Sequence, residues 1–154
     1  MKKFEEGSNQ GFTLIEMLVV IIIISFLIGI VLTGTLGFQA SARDTRRTGD
    51  LRNAQNFLEL YFTKCGRYPG SGTCGESAPL WPALSGIMDT AGVTKQFPTG
   101  IPGRPYFYGV NSDGLSYTLG AQLERENNVL KTDIDDSNSN GVNCADPVYC
   151  ISSS

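Results

Sequence analysis

Residues Phe12–Leu32 form one apolar run, FTLIEMLVVIIIISFLIGIVL, interrupted by a single charge at Glu16. At a helical rise of about 1.5 Å per residue it spans about 31 Å, enough to cross the hydrocarbon core of a bilayer. The preceding residues, MKKFEEGSNQG, carry Lys2 and Lys3 and read like the basic leader of an export signal. Lysines there favour a cytoplasmic N-terminus, which places the C-terminal part of the chain outside the cytoplasm. An ordinary secretory signal does not fit, because its apolar region is shorter and is cut on the far side. A plain membrane anchor accounts for the length but not for the glutamate. A carboxylate deep in a membrane helix costs about 2.5–3.5 kcal/mol on insertion scales, and less near the interface. An ionisable residue kept at such a place points to a function and a partner.

Gly11, Phe12, Thr13, Leu14, Ile15 and Glu16 stand at that boundary. The stretch resembles the type IV pilin and pseudopilin family, whose signature is a basic leader ending in Gly, then Phe, two or three small or apolar residues, Glu and an apolar helix. The resemblance implies cleavage by a prepilin peptidase between Gly11 and Phe12 and N-methylation of the new Phe12 amine. The helix then stays on the mature chain. It further implies a structural subunit of a type IV filament, either a type II secretion pseudopilus or a type IV pilus. Such filaments serve protein secretion, adhesion and motility, or DNA uptake. The implied partners are further copies of the chain, other pilin-like subunits, the peptidase and methyltransferase, and an inner-membrane assembly platform. The implied location is the cytoplasmic membrane as a single-pass protein before assembly, and an extracytoplasmic or surface filament afterwards. In the mature chain Glu16 is the only anion near a cationic amine. In a bundle of such helices the amine of one subunit can meet Glu16 of another. Removing one member of a buried ion pair costs about 3–5 kcal/mol, so Glu16 is expected to determine assembly and register. Met17–Leu32 then contacts lipid before assembly and neighbouring helices after it.

The expected organisation is a leader over 1–11, a membrane and assembly helix over 12–37, and an amphipathic helix with a globular head over 38–154. Thr33–Gly37 contain two glycines, each costing about 1 kcal/mol against alanine in a helix, which makes this a site of weakening or bending. From about Gln39, Leu51, Ala54, Leu58, Tyr61, Phe62 and Cys65 recur at steps of three and four. That pattern predicts an amphipathic helix ending near Lys64, with Gly66 as the stop. Arg43, Arg46, Arg47 and Arg52 could meet DNA or lipid head groups. Asp44 and Asp50 are interleaved with them, which favours a solvated face or salt bridges to neighbouring subunits. The net charge of −3 also predicts no nucleic-acid footprint.

The head is expected to be α+β, a long helix packed on a small antiparallel sheet. Tyr106–Val110 and Leu115–Leu123 read as strands joined by an Asn111–Gly114 turn. Leu115, Tyr117, Leu119, Ala121 and Leu123 alternate with polar residues, which predicts one buried face directed at the helix. Pro147–Ile151 is a candidate third strand. Residues 66–104 are rich in Gly and Pro and read as loop with a short helical turn around Leu80–Met88. Trp81 and Leu84 are expected core anchors. Four cysteines allow three pairings. Neighbour pairing, Cys65 with Cys74 and Cys144 with Cys150, closes two short polar loops and is the expectation, since a small exported head benefits from covalent staples. Zinc is disfavoured, because the chain has no histidine and no CxxC spacing.

The strings RYPG, PGRPYFYG and YTLGAQLE resemble the layout of the major pseudopilin of type II secretion. Pro102, Gly103 and Arg104 stand where that family often has a Trp-Gly step. The stretch 133–146 reads DIDDSNSNGVNCAD. Asp136, Asn138, Asn140 and Gly141 match the first half of a calcium loop. Pro147 stands where the twelfth-position Glu belongs, leaving Asp133, Asp135 or Asp146 as further oxygen donors. The same residue types also serve an ordinary solvated turn. The resemblance implies a calcium-bound loop near this place. Catalysis has no support: the chain has no histidine, nucleophile elbow, P-loop or paired-carboxylate pocket. The competing reading is a membrane-anchored binding module, a minor pilin that captures DNA or a surface.

Overall fold

In a computed structural model of the chain, the described residues are 11–70, 74, 80–100, 103–136 and 138–153, with the backbone alone described over 32–36. Residues 1–10, most of the expected leader, lie outside them. The elements are α1 (Leu14–Cys65), α2 (Trp81–Thr90), β1 (Tyr106–Val110), β2 (Tyr117–Gln122), a 3-10 turn (Asn128–Lys131) and β3 (Val148–Ser152). The chain divides into two compact units, Met1–Gln39 and Ala40–Ser154, and α1 contributes to both.

In the first unit α1 carries the apolar run. None of Leu14–Val31 is buried, and the stretch is long and apolar enough to cross a membrane. Ser25 turns its hydroxyl inward to donate to the Ile21 carbonyl at 2.7 Å, which hides its polarity on an apolar surface. Backbone over Thr33–Gly37 stays helical, so the two glycines lower helix stability without ending the helix.

In the second unit the predicted stripe becomes the core. Leu51, Ala54, Leu58 and Tyr61 of α1 are buried in one cluster with Tyr117, Leu119, Ala121 and Leu123. The helix stops where the sequence supplies a left-handed residue: Gly66 has φ 70°, and its N–H bonds the Phe62 carbonyl at 2.7 Å. The predicted turn around Leu80–Met88 is a ten-residue helix, α2, with Pro82 in its first turn. Its C-terminal carbonyls are met by a cation from α1. Lys64 Nζ donates to the Ala91 and Gly92 carbonyls at 3.0 and 2.8 Å, the favourable charge at a helix C-terminus. Trp81 and Leu84 are buried, and Trp81 packs on Tyr106 with ring centroids 4.9 Å apart and donates to the Pro98 carbonyl.

The sheet is antiparallel in the order β1-β2-β3, with Tyr108 opposite Leu119 and Leu119 opposite Ile151. Two expectations need correction here. β2 begins at Tyr117, and Leu115 is 56% exposed at the turn. The turn is also wider than expected, since Asn111 N–H bonds the Ser116 carbonyl. The second difference is that both faces of β2 are covered, Thr118 and Gly120 included. Residues 138–142 lie on the face away from α1: Thr118 Oγ1 bonds Ser139 Oγ at 2.7 Å and accepts from Asn140 Nδ2 at 3.2 Å. Gly109 makes room for this segment, because a Cβ there would collide with the Asn140 carbonyl oxygen.

The arginine face departs from expectation in part. Arg43 forms a bidentate pair with Glu124 of its own head, Nε to Oε1 at 2.8 Å and Nη2 to Oε2 at 2.6 Å. Asp44 is buried and accepts from the Glu124 and Arg125 N–H groups, while Arg47, also buried, donates to the Gln122 carbonyl. Arg52 donates to the Tyr149 hydroxyl. Arg43, Arg46 and Arg52 stay exposed, as expected of a solvated face, while the bonded side chains bind the segment after β2 and strand β3 within one head. The physical reason is that Gln122–Arg125 leaves the sheet against α1, and its backbone groups need partners there. The Arg43 guanidinium holds the Glu124 carboxyl below its usual range.

Candidate functional site

Two places gather the residues singled out in the sequence. At the start of α1, Thr13 precedes the first helical residue. Its N–H and hydroxyl donate to Glu16 Oε2 at 3.2 and 3.1 Å, and the Glu16 N–H donates to Thr13 Oγ1 at 3.3 Å. This is a reciprocal capping box, which satisfies N–H groups that a helix start otherwise leaves orphaned. The signal for it is T-x-x-E ahead of an apolar run; reading the glutamate only as a partner for an amine misses Thr13. Phe12 is 77% exposed. Both bonds to the carboxylate end on Oε2, and Oε1 has no partner among the described residues. Glu16 thus caps its own helix through one of its two carboxylate oxygens.

The second place is the acidic loop. Asp133, Asp135 and Asp146 each bring a carboxylate oxygen within 4.8 Å of the other two. Asp136, Asn138 and Asn140 do other work with their side chains. Asp136 Oδ1 accepts from Asn138 N–H, Asn138 Oδ1 accepts from Gly141 N–H, and Asn140 reaches Thr118. Asn140 and Gly141 both have positive φ, 50° and 87°, between the paired residues Ser139 and Val142. That is the signature of an Asn-Gly type I′ hairpin turn, a signal present in the sequence and read there as half a calcium loop.

Asp133 is the best-placed donor. Its Oδ2 accepts from the Cys150 N–H at 2.8 Å, while Oδ1 is buried with no hydrogen-bond partner. Burial pushes its carboxyl up from the usual range. The Cys150 N–H opposes that shift, and the Asp135 and Asp146 charges add to it. A carboxyl raised this way loses folding free energy as pH rises through its range, and the neighbouring carboxylates add repulsion. An oxygen-seeking cation removes that repulsion and fills the orphaned acceptor. The donor set, carboxylates without nitrogen or sulfur, suits calcium.

Both disulfides join neighbours. Cys65 bonds Cys74 with Cα atoms 6.0 Å apart, and Cys144 bonds Cys150 at 5.7 Å. The first ties the end of α1 to the loop beyond it; the second closes the acidic loop onto β3.

Residues 7–32 match the family model described as "Prokaryotic N-terminal methylation motif". The chain is 31% identical over 101 residues to the type II secretion system core protein G of Escherichia coli (strain K12). The match covers 64% of this chain and 70% of that protein. No solved structure matches significantly. The matched segment contains the capped, exposed apolar helix, and the α+β head accompanies it: this chain belongs to the type IV pilin-like and pseudopilin family, with a head of the kind carried by the major pseudopilin of type II secretion.

Proposed function

We propose that the chain is stored in the cytoplasmic membrane by α1, cut between Gly11 and Phe12, methylated at Phe12, and polymerised through α1 into a type II secretion pseudopilus. The observation that carries this reading is the position of the GFTLIE motif. It runs into a helix, Leu14–Cys65, whose apolar side chains up to Val31 are exposed among the described residues. Such a surface needs lipid or other helices. In the assembled state Glu16 Oε1 receives the Phe12 amine of a neighbouring subunit. The matched relative is a secretion protein by name, which favours the secretion pseudopilus over a pilus or a DNA-uptake filament. Arg43, Arg47 and Arg52 each bond a group of their own head, and Asp44 and Asp50 are interleaved with them, which argues against a basic surface for DNA.

Mass spectrometry of protein purified from cells that contain the peptidase is expected to show an N-terminus at Phe12 carrying a methyl group. An intact Met1 start in those cells sinks the processing step.

We also propose that Asp133, Asp135 and Asp146 hold calcium, with Asp136, Asn138 and Asn140 shaping the loop around them. The ion's contribution is structural: it neutralises the carboxylates and fixes the loop on the sheet. At a hundredfold excess over its dissociation constant a ligand adds about 2.7 kcal/mol of stability. Calcium at such a level is expected to raise the melting temperature of the full-length chain in detergent by about 10 °C, given a few degrees per kcal/mol in a domain of this size. No shift at millimolar calcium removes the ion from the function.

A further inference from the structure

The acidic loop and the second disulfide share their backbone. Asp146 lies inside the ring closed by Cys144 and Cys150. Asp133 is held through its Oδ2 by the N–H of Cys150, and the carbonyl of Asp136 accepts from the N–H of Cys144 at 2.9 Å. Both cysteines are buried, at 0% and 1% exposure, in a small apolar cluster with Val142. On its other side the loop is fastened by Thr118, which binds Ser139 and Asn140. Of the three clustered carboxylates, Asp133 is therefore oriented through one half of the disulfide, and Asp146 is confined by the bond itself.

Resting on the calcium reading above, we propose that the Cys144–Cys150 disulfide and calcium binding at Asp133, Asp135 and Asp146 are coupled, so that each strengthens the other and the loop acts as a redox-gated cation clip. Three like charges close together separate unless something holds them. The disulfide does so by limiting where Asp146 and the Cys150 N–H can go; a cation does so by attraction. Once one is in place, the other meets a loop already ordered, and calcium affinity follows site rigidity as well as ligand charge. Coupling of this kind is reciprocal. If the disulfide raises calcium affinity by some factor, calcium raises the stability of the disulfide against reduction by the same factor.

The reduction is an ordinary thiol–disulfide exchange. A thiolate of an external dithiol attacks one cysteine sulfur, the Cys144–Cys150 bond breaks, and a mixed disulfide forms. That step frees the other cysteine as a thiolate, and the second dithiol sulfur then closes on the first and releases the attacked cysteine. Two electrons and two protons pass to the cysteines, and the dithiol leaves as a cyclic disulfide. Calcium is bound or lost in this cycle without changing oxidation state.

The test uses the full-length chain in detergent micelles. Calcium is titrated calorimetrically into the intact protein and into the Cys144→Ser, Cys150→Ser double variant. The expected result is about tenfold weaker binding, or more, in the variant. The intact chain is then equilibrated in dithiol redox buffers with and without calcium, and the thiols are counted by alkylation and mass spectrometry. Calcium is expected to shift the midpoint of Cys144–Cys150 by the same tenfold, about 30 mV towards harder reduction. Cys65–Cys74, which shares no hydrogen bond with the acidic loop among the described residues, is expected not to move. Equal calcium affinities, or a midpoint that calcium leaves unchanged, overturn the coupling and leave the calcium reading standing. Failure of the intact chain to bind calcium overturns both. The redox titration keeps the proposal testable where the double variant does not fold.

Discussion

Glu16→Ala is expected to abolish filament assembly while leaving membrane insertion unchanged. The helix loses a carboxylate that costs free energy in a bilayer, so insertion becomes easier if anything. Assembly loses the acceptor for the neighbouring Phe12 amine, and an unpaired cation buried among helices costs about 3–5 kcal/mol at each interface. That is a factor of hundreds or more per contact, repeated along a polymer. The same variant also loses the carboxylate half of the capping box, while the N–H of residue 16 can still donate to Thr13 Oγ1, and the two effects separate by magnitude. Thr13→Ala removes the side-chain bonds of the cap and keeps the carboxylate. Cap loss is typically about 1 kcal/mol, so filaments are expected to be reduced and not absent. Sedimentation or imaging of filaments reads assembly, and alkaline extraction of membranes reads insertion. Normal filaments from Glu16→Ala refute the ion-pair role.

The second large effect belongs to the head. Leu119→Ala is expected to cost about 2–5 kcal/mol, the range for truncating a buried leucine. Leu119 is fully buried at the centre of β2, paired with Tyr108 on one side and Ile151 on the other. Against a total stability of about 5–15 kcal/mol for a native domain, such a loss leaves a measurable unfolded fraction. Leu115→Ala, four residues earlier and 56% exposed, is expected to stay within about 0.5 kcal/mol. Urea midpoints of the two variants decide the matter. Equal losses contradict the placement of Leu115 in the turn.

That pair of leucines shows where the sequence could and could not be read. Alternation placed Leu115 and Leu119 on one face, and period alone cannot say where a strand starts. The answer lay in Asn111 and Ser116, whose backbone pairing widens the turn. The amphipathic stripe of α1 was legible because helical spacing directly names a face, and Leu51, Ala54, Leu58 and Tyr61 all reached the core. The 3-10 turn at Asn128–Lys131 is only four residues long, too short to leave a periodic signal. The second cover on β2 was unreadable too, since nothing local to Thr118 announces that Ser139 and Asn140 will close on it.

At the candidate site the same division holds. Gly11, Phe12 and Glu16 lie within one short stretch, GFTLIE, so their motif was plain. Asp133, Asp135 and Asp146 meet only because β3 brings Asp146 back beside Asp133, a fact of tertiary structure. Asn140-Gly141 is ambiguous for the opposite reason: it is a strong local signal that serves a hairpin as well as a cation loop.

β3 has a consequence for the order of events during folding. It supplies one edge of the sheet, half of a disulfide and the N–H that holds Asp133. It also binds α1 across a long stretch of chain, with Tyr149 meeting Arg52 and Ser152 meeting Gln55. Contacts of such wide separation close late, since the loop between them has to be ordered first. The core around Leu119 therefore cannot finish forming until residues as far as Ser152 are in place. Until then the head is a helix and a hairpin with a bare strand edge, open to proteases and to chaperones.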